Sequence, residues 1–375
     1  MDADVIVAGA GPAGSATALA LARRGCSVLI VDRSEFPRRK VCGEYLGAGS
    51  IDALSECGLG EAVRAHASPL HRIRLIAAGT RLEMSFPQAA LALTRERLDA
   101  TILAAARAAG SDFLRARVED VVCDGTGRAG GVVVRDESGA RREIRGRIVV
   151  GADGVGSIVA RKLRLSRAAS RGAFAIGGHF RGVADSPGCI EMFVDAHAYV
   201  AINPLGEGVA NVMAVVRRPA VEVWTRALDL AAETRVGPRV ATGPLSHRVR
   251  TAAVPGAVLV GDASGFLNPF TGQGVMLALR GARRAAVAIE EALHAPERES
   301  RVFAEYAREI RREFGARARL ARLVDLLVGV PALARRAAAR LERSPELSAI
   351  LLAALMGSSQ PQTAMNPAIL RRLLA

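Results

Sequence analysis

Lysine is almost missing from this 375-residue chain: it stands only at Lys40 and Lys162, and arginine carries nearly all the positive charge. Aromatic residues make up 4%, and the one tryptophan is Trp224. Basic residues number 51 against 37 acidic ones, a formal charge of +14, yet no basic block is interleaved with aromatics. That absence argues against a nucleic-acid partner and for a solvated basic surface with some attraction for anionic cofactors. The cysteines, Cys26, Cys42, Cys57, Cys123 and Cys189, are odd in number, irregularly spaced and without a C-x-x-C. This excludes a disulfide framework or a zinc site and fits a reducing cytoplasm. The histidines (66, 71, 179, 197, 247 and 294) show no ligand spacing, so no metal is expected. There is no uncharged apolar run of about 18 residues, hence no expected transmembrane helix. The chain starts almost directly on a strand, so no signal peptide is expected.

What is present is organised around residues 1–44. Asp4–Ala8 reads as a short buried strand. Gly9-Ala10-Gly11-Pro12-Ala13-Gly14 is a G-x-G-x-x-G that opens a helix to about Arg24, and Ser27–Val31 is a second strand ending in Asp32. Strand, helix and acid together are the β-α-β unit of a dinucleotide site. Gly9 permits the tight turn, Gly11 lets the backbone approach a pyrophosphate, and Gly14 lets helix and strand pack closely. The helix N-terminus aims free N–H groups at the phosphates, and Asp32 can accept from a ribose hydroxyl.

Beyond this unit, Arg33–Glu44 is a loop and Gly49–Cys57 a helix. Strand-like runs at Ile73–Ile76 and Arg81–Met84 begin a second sheet. A helix is entered from Leu91 and runs through Ala108, with apolar positions Leu98, Ile102, Leu103 and Ala106 at helical spacing. Phe113–Val122, Gly131–Val134 and Arg145–Val150 read as strands, and Ala173–Val216 as an antiparallel sheet. Pro219–Thr234 reads as a helix and Ala257–Val260 as a buried strand. A long helix follows to about His294, and residues 301–375 are helical throughout. The expected fold class is α/β (α+β overall): a Rossmann-like cofactor-binding domain (1–66, 90–170 and 251–300), an interleaved antiparallel-sheet substrate domain (67–89 and 171–250) and C-terminal helices (301–375).

Two further stretches complete a pattern: Val149-Val-Gly-Ala-Asp153-Gly154-Val-Gly-Ser157, and Leu259-Val-Gly-Asp262-Ala running on to Pro269-Phe-Thr-Gly272-Gln273-Gly274-Val275. With the N-terminal unit, and over about residues 1–300, the chain resembles the para-hydroxybenzoate-hydroxylase-like FAD superfamily. That group includes aromatic flavin monooxygenases, geranylgeranyl reductases and flavin-dependent halogenases. The resemblance implies FAD, held by Gly9 to Gly14, Asp32, Arg33, Lys40, Val41, Cys42 and Arg95, with the backbone of Val118 beside the adenine. It places Asp153 and Gly154 near the pyrophosphate, Asp262 on the ribityl chain, and Pro269, Gly272, Gln273, Gly274 and Val275 against the flavin. Two glycines before a helix expose N–H groups that would stabilise an anionic reduced flavin. With no second G-x-G-x-x-G, NADPH or NADH as electron donor would dock on the surface near FAD.

The motifs divide over the reaction. Lys40-Val-Cys42-Gly-Glu44 resembles the K-x-C-G-[GED] segment of geranylgeranyl-reductase-like proteins, which places Cys42 near the isoalloxazine. Cys42 is the candidate catalytic residue, for proton donation or flavin positioning; a small buried packing residue is the plainer alternative. Asp262-Ala-Ser-Gly-Phe266 is also reductase-like. Gly272-Gln273-Gly274 is the hydroxylase form. Tyr199-Val-Ala-Ile-Asn203-Pro204-Leu-Gly206 keeps the Tyr and Pro of the reductases' Y-x-W-x-F-P but neither large aromatic. A halogenase W-x-W-x-I-P cannot exist with one tryptophan. On balance the expectation is a monooxygenase of secondary metabolism, using O₂ to hydroxylate an aromatic or polyketide-like small molecule through C4a-hydroperoxyflavin. The alternatives are a reductase or dehydrogenase acting on an alkene or apolar substrate, and a flavoprotein maturation factor or scaffold acting on a protein partner. Leu320–Leu327 and Leu347–Leu355 are apolar at helical spacing. Packing against the cofactor domain is the plain reading; a lid over an apolar substrate or a peripheral membrane contact is the other. His179 and His197 fall in the substrate sheet, at a solvated strand edge or facing the pocket.

Overall fold

The computed structural model describes residues 2–77, 79–167, 172–184, 186–195, 198–216, 234–266 and 269–374. The helix expected from Pro219, with Trp224, and His197 lie outside them.

The N-terminal unit is β1 (Ala3–Ala8), α1 (Pro12–Ala22) and β2 (Val28–Asp32). The segment after the Arg33–Glu44 loop gives β3 (Tyr45–Leu46), α2 (Ala48–Glu56) and α3 (Gly60–Arg64). It continues into β4 (Ser68–Ala77), β5 (Thr80–Ala92) and α4 (Arg95–Ala108). Leu91 and Ala92, expected to enter the helix, are strand. They pair with Leu46 and Tyr45, and the helix starts only where the Thr94 hydroxyl caps Arg97 N–H.

Next come β6 (Asp112–Arg115), β7 (Arg117–Cys123), β8 (Ala129–Arg135), β9 (Arg141–Gly151) and a short α5 (Ile158–Lys162). The antiparallel segment holds β10 (Ala173–Arg181), β11 (Cys189–Val194), β12 (Ala198–Gly206), β13 (Val209–Val216) and β14 (Arg235–Leu245). After β15 (Ala253–Val254) and β16 (Ala257–Leu259) the chain is helical: α6 (Gly274–His294), α7 (Glu299–Gly329), α8 (Pro331–Arg343), α9 (Pro345–Met356), α10 (Pro361–Ala364) and α11 (Pro367–Leu374).

Two sheets result. The first runs β15-β16-β9-β1-β2-β6, with β8 on β9 and β7 on β8. In it β16, β9, β1, β2 and β6 are mutually parallel. Parallel strands end on one edge, so the loops after Ala8, Asp32, Gly151 and Leu259 all open on the same side. Sequence-distant motifs therefore meet at the carboxyl ends of the strands, where ligands bind such sheets. Side chains of β1 alternate: Val5 and Val7 join one core with α1, α4, α6 and the first half of α7, while Ile6 and Ala8 join a second with β7–β9 and α5. Small residues carry the α1–α6 contact, Ala13, Ala16, Ala278, Ala282 and Ala285 all being buried.

The second sheet runs β14-β10-β13-β12-β11-β4-β5-β3. Leu70, Leu82, Met84, Ile190 and Met192 of this sheet form a third core with Leu320, Val324 and Leu327 of α7, Ala337, Ala338 and Leu341 of α8, and Leu347, Leu351 and Leu352 of α9. The C-terminal helices thus do two things. The first half of α7 packs on the first sheet, where Tyr306 donates to Leu259 O at 2.7 Å. Its second half, with α8 and α9, lies over the second sheet, so the plain reading of packing on the cofactor domain alone covers only half of the region.

Candidate functional site

The G-x-G-x-x-G turn has the form its glycines anticipate. Gly9 has a φ of +105°, and a Cβ there would lie 2.5 Å from Ala152 O. A Cβ on Gly14 would lie 1.8 Å from Gly9 O, so only glycine lets α1 start this close to β1. No side chain caps α1 at Gly11, which leaves its first N–H groups free for a ligand. Asp32 is fixed at the end of β2: Ala10 N donates to Oδ2 at 2.8 Å and Ser34 N to Oδ1 at 2.9 Å.

One continuous cavity of about 510 Å³ runs from this turn. Of the expected cofactor residues, Gly11, Pro12, Ala13, Arg33, Lys40, Val41, Cys42 and Arg95 line it, as do Asp153, Gly154, Asp262, Pro269, Gly272, Gly274 and Val275. Gly9, Ala10, Gly14 and Asp32 are not on its wall; they shape the turn behind it. Val118 is not among the lining residues either, and its side chain is buried in the core under the first sheet.

The charged groups of this half face the cavity: Arg95 is buried, Asp153 and Asp262 are half-buried, and Lys40 and Arg33 are exposed. Lys40 Nζ sits beside Gly154, 3.5 Å from where a Cβ would stand. Desolvation by the cavity walls pushes its pKa down although the side chain is open to the cavity, and Arg95 and Arg38 add to the fall against Asp262 and Asp99. Burial likewise raises the Asp262 carboxyl above its ordinary value, against Lys40, Arg95 and His247. His247 Nε2 lies 2.9 Å from Ala263 O, in the turn that follows Asp262. Asp153 Oδ2 accepts Ile158 N–H at 2.6 Å and Val159 N–H at 3.3 Å, while its buried Oδ1 has no protein partner, and neither has Arg38 Nε. Burial raises Asp153 too. A Cβ at Gly274 would meet nothing within 4 Å. Clustered cations, orphaned polar atoms and an open glycine at the start of α6 fit a large anionic cofactor with hydroxyl groups, as FAD is.

Beside Lys40 the loop is held by a polar row that the sequence does not announce. Glu44 is buried and non-glycine with a φ of +56°. Its Oε1 accepts the N–H of Arg95 at the start of α4 at 2.9 Å, and its Oε2 lies 2.7 Å from His179 Nε2. Asn203 Nδ2 donates to Gly43 O at 3.0 Å and Glu44 O at 2.9 Å, and Asn211 Nδ2 to Cys42 O at 2.8 Å. His179, Asn211 and Asn203 are register partners on β10, β13 and β12, so they form one row across the sheet. His179 is therefore neither solvated nor alone. Glu44 N–H donates to Cys42 Sγ at 3.3 Å. The Arg95 guanidinium, bidentate on Asp99 at 2.8 Å, also reaches the Cys42 sulfur, and the two partners outweigh burial to raise its pKa. Polar residues at inward positions of apolar strands were the available signal for this row.

Gln273 points elsewhere. Its Nε2 donates to Ala354 O at 2.9 Å and Leu355 O at 2.8 Å, carbonyls of the last turn of α9. That task needs two N–H donors, which a Glu lacks.

Past Tyr199 and Phe270, which meet edge to face at 5.2 Å, the cavity becomes apolar. Ile73, Leu75, Leu82, Met84, Ile190, Met192 and Ala201 form its floor. Val324, Leu327, Val328, Ala334, Ala337, Ala338, Leu341, Leu351, Leu352 and Leu355 form its roof. Burial and Asp325 raise the pKa of Tyr199, so its hydroxyl remains a neutral donor.

The model of a family described as "FAD binding domain" matches residues 2–319. The chain belongs to this FAD-binding family. It is an FAD-dependent oxidoreductase of the wider group anticipated above, in which reductases, monooxygenases and halogenases share one fold. This flavoprotein is 31% identical to a menaquinone reductase of Mycolicibacterium smegmatis over 76% of its own length and 75% of that protein's. It is 31% identical to digeranylgeranylglycerophospholipid reductase 2 of Methanopyrus kandleri, over 84% of each. The solved flavin-dependent brominase Bmp2 superposes with a TM-score of 0.83 at 21% identity, covering 98% of each chain. That likeness shows the fold and leaves the reaction to the site.

Proposed function

We propose that this flavoprotein is a reductase that saturates a carbon–carbon double bond in an isoprenoid chain. The observation that carries the reading is the chamber beyond Tyr199. It is continuous with the cofactor groove, apolar on floor and roof, and closed by three helices, which suits a long hydrocarbon better than a compact phenol. The curated relatives, reductases named for menaquinone and for a geranylgeranylated phospholipid, support it. The motif that favoured hydroxylation, Gln273 between two glycines, loses its weight because its side chain serves α9.

The residues then divide the work. Gly11 and the α1 N-terminus would hold the diphosphate, Asp32 and Arg33 the adenosine end, Asp262 the ribityl chain, and Gly272 and Gly274 the flavin edge. Bound and reduced, FAD supplies a hydride, with NADPH or NADH as its source. The chamber orients the alkene and excludes water. Cys42 lines the cavity next to Val41, which packs with Tyr199 against one cluster of the second sheet, and its thiol would give the proton to the carbon that does not take the hydride. The charge left on sulfur is met by Glu44 N–H and the Arg95 guanidinium.

The test is to reduce the protein anaerobically, add menaquinone or a geranylgeranylated lipid, and analyse the product by mass spectrometry. A gain of two hydrogens, lost in Cys42→Ala without loss of FAD, supports the reading. Oxygen-dependent hydroxylation of a phenolic substrate, with no saturated lipid, would overturn it.

A further inference from the structure

Between the second half of α7 and α8 the wall of the apolar chamber is one helix corner thick. Leu327 and Val328 line the chamber, and so does Ala334 one turn into α8. Leu326 just before them and Val330 between Val328 and Ala334 are 54% and 39% exposed, among the large hydrophobics most open to solvent, and Pro331 and Ala332 are exposed beside them. Chamber-facing and outward-facing apolar residues thus alternate across the same short stretch.

The surroundings are cationic. Residues 331–374 hold six arginines, at 335, 336, 340, 343, 371 and 372, against Glu342 and Glu346. All six are exposed. Among the described residues an ion pair neutralises only Arg372, held by Glu346 at 2.9 Å. On α8 the buried face is Ala337, Ala338 and Leu341, and the other face carries Arg335, Arg336, Arg340 and Arg343. Arg322 is exposed one turn before Leu326, and within residues 322–336 Asp325 is the one acid. An apolar tip ringed by unneutralised arginines is the pattern of a segment that inserts shallowly into an anionic interface. No described helix is long and apolar enough to cross a membrane, so the contact is with one face of the bilayer.

We infer that the α7–α8 corner docks on the surface of an anionic phospholipid bilayer, with Leu326 and Val330 in the acyl boundary and the α8 arginines on the headgroups. Docking there sets a chamber wall one helix corner thick against the hydrocarbon in which an isoprenoid substrate resides. The delivery role rests on the reductase reading; the docking itself does not.

The FAD-loaded protein would be sedimented with vesicles of phosphatidylcholine alone and of phosphatidylcholine with phosphatidylglycerol. The expected result is binding to the anionic vesicles that falls with salt and is weak on the neutral ones. The pairs Leu326→Asp with Val330→Asp, and Arg335→Glu with Arg336→Glu, should each lower partitioning at least about tenfold while FAD content stays unchanged. No binding to anionic vesicles at low salt overturns the inference. So does binding that both variant pairs leave intact, as does concentration-dependent dimerisation through the corner that excludes vesicles. Vesicle binding is read without turnover. Corner-dependent binding without saturated product would therefore refute the reductase reading alone.

Discussion

Glu44 holds a backbone conformation that costs a non-glycine residue about 1–3 kcal/mol, and its carboxylate is buried as well. His179, Arg95 N–H and Asn203 together offset both costs. His179→Ala should therefore lower stability by about 2–4 kcal/mol in urea unfolding and shift the visible flavin spectrum, because the Cys42 loop loses its clamp. His179→Gln, which restores a donor, should recover most of both; an Ala variant equal to wild type in both readouts would sink this account. Asp262 gives a pH-dependent case. Its folded pKa is raised above the ordinary 3.8. A raised carboxyl contributes stability that is full below the ordinary value and is lost as pH rises through the folded one. FAD-free Asp262→Asn should accordingly gain on wild type as pH climbs from acid toward neutral. A stability difference that is flat with pH would mean that the carboxyl is not desolvated.

At the scale of elements, the start of α1 is the least tolerant place. A methyl group on Gly14 meets Gly9 O at 1.8 Å, so Gly14→Ala should abolish FAD loading, read as lost flavin absorbance in the purified protein. The start of α6 behaves differently. Gln273→Glu would set a carboxylate against two carbonyls at the end of α9, with an expected cost of about 2 kcal/mol in unfolding experiments. The reaction type should not change. A switch between hydroxylated and saturated product in this variant would return Gln273 to the chemistry.

Across the whole molecule, the chain uses one sheet for the cofactor and a second, roofed by its C-terminal helices, for the substrate. Ala337 and Ala338 face the chamber from that roof. Ala338→Phe should fill part of it and lower turnover of a long isoprenoid at least about tenfold while FAD occupancy is kept. Equal turnover of long substrates by this variant would show that they do not enter the chamber.

The cofactor half was legible in the chain because its signals are local. Gly9 to Gly14, Asp153 and Asp262 each follow a strand within a few residues, and parallel strands carry such turns to one edge. The substrate half was not legible, because its parts are far apart in sequence and ordinary when read singly. His179, Asn203 and Asn211 become a row only through the pairing of β10, β13 and β12, and only the fold aims that row at residues 42–44. Leu341 is an unremarkable helix leucine until α8 lies over the second sheet, and the apolar spacing of Leu347–Leu355 left packing, lid and interfacial contact open. By itself the sequence determined the nucleotide-binding turn, the fold class and the family, since short-range sterics and strand–turn–helix order decide these. Tertiary structure decided where Gln273 points, what holds the Cys42 loop and that the pocket ends in hydrocarbon, since each depends on contacts between distant segments, 169 residues apart for Asn211 and Cys42.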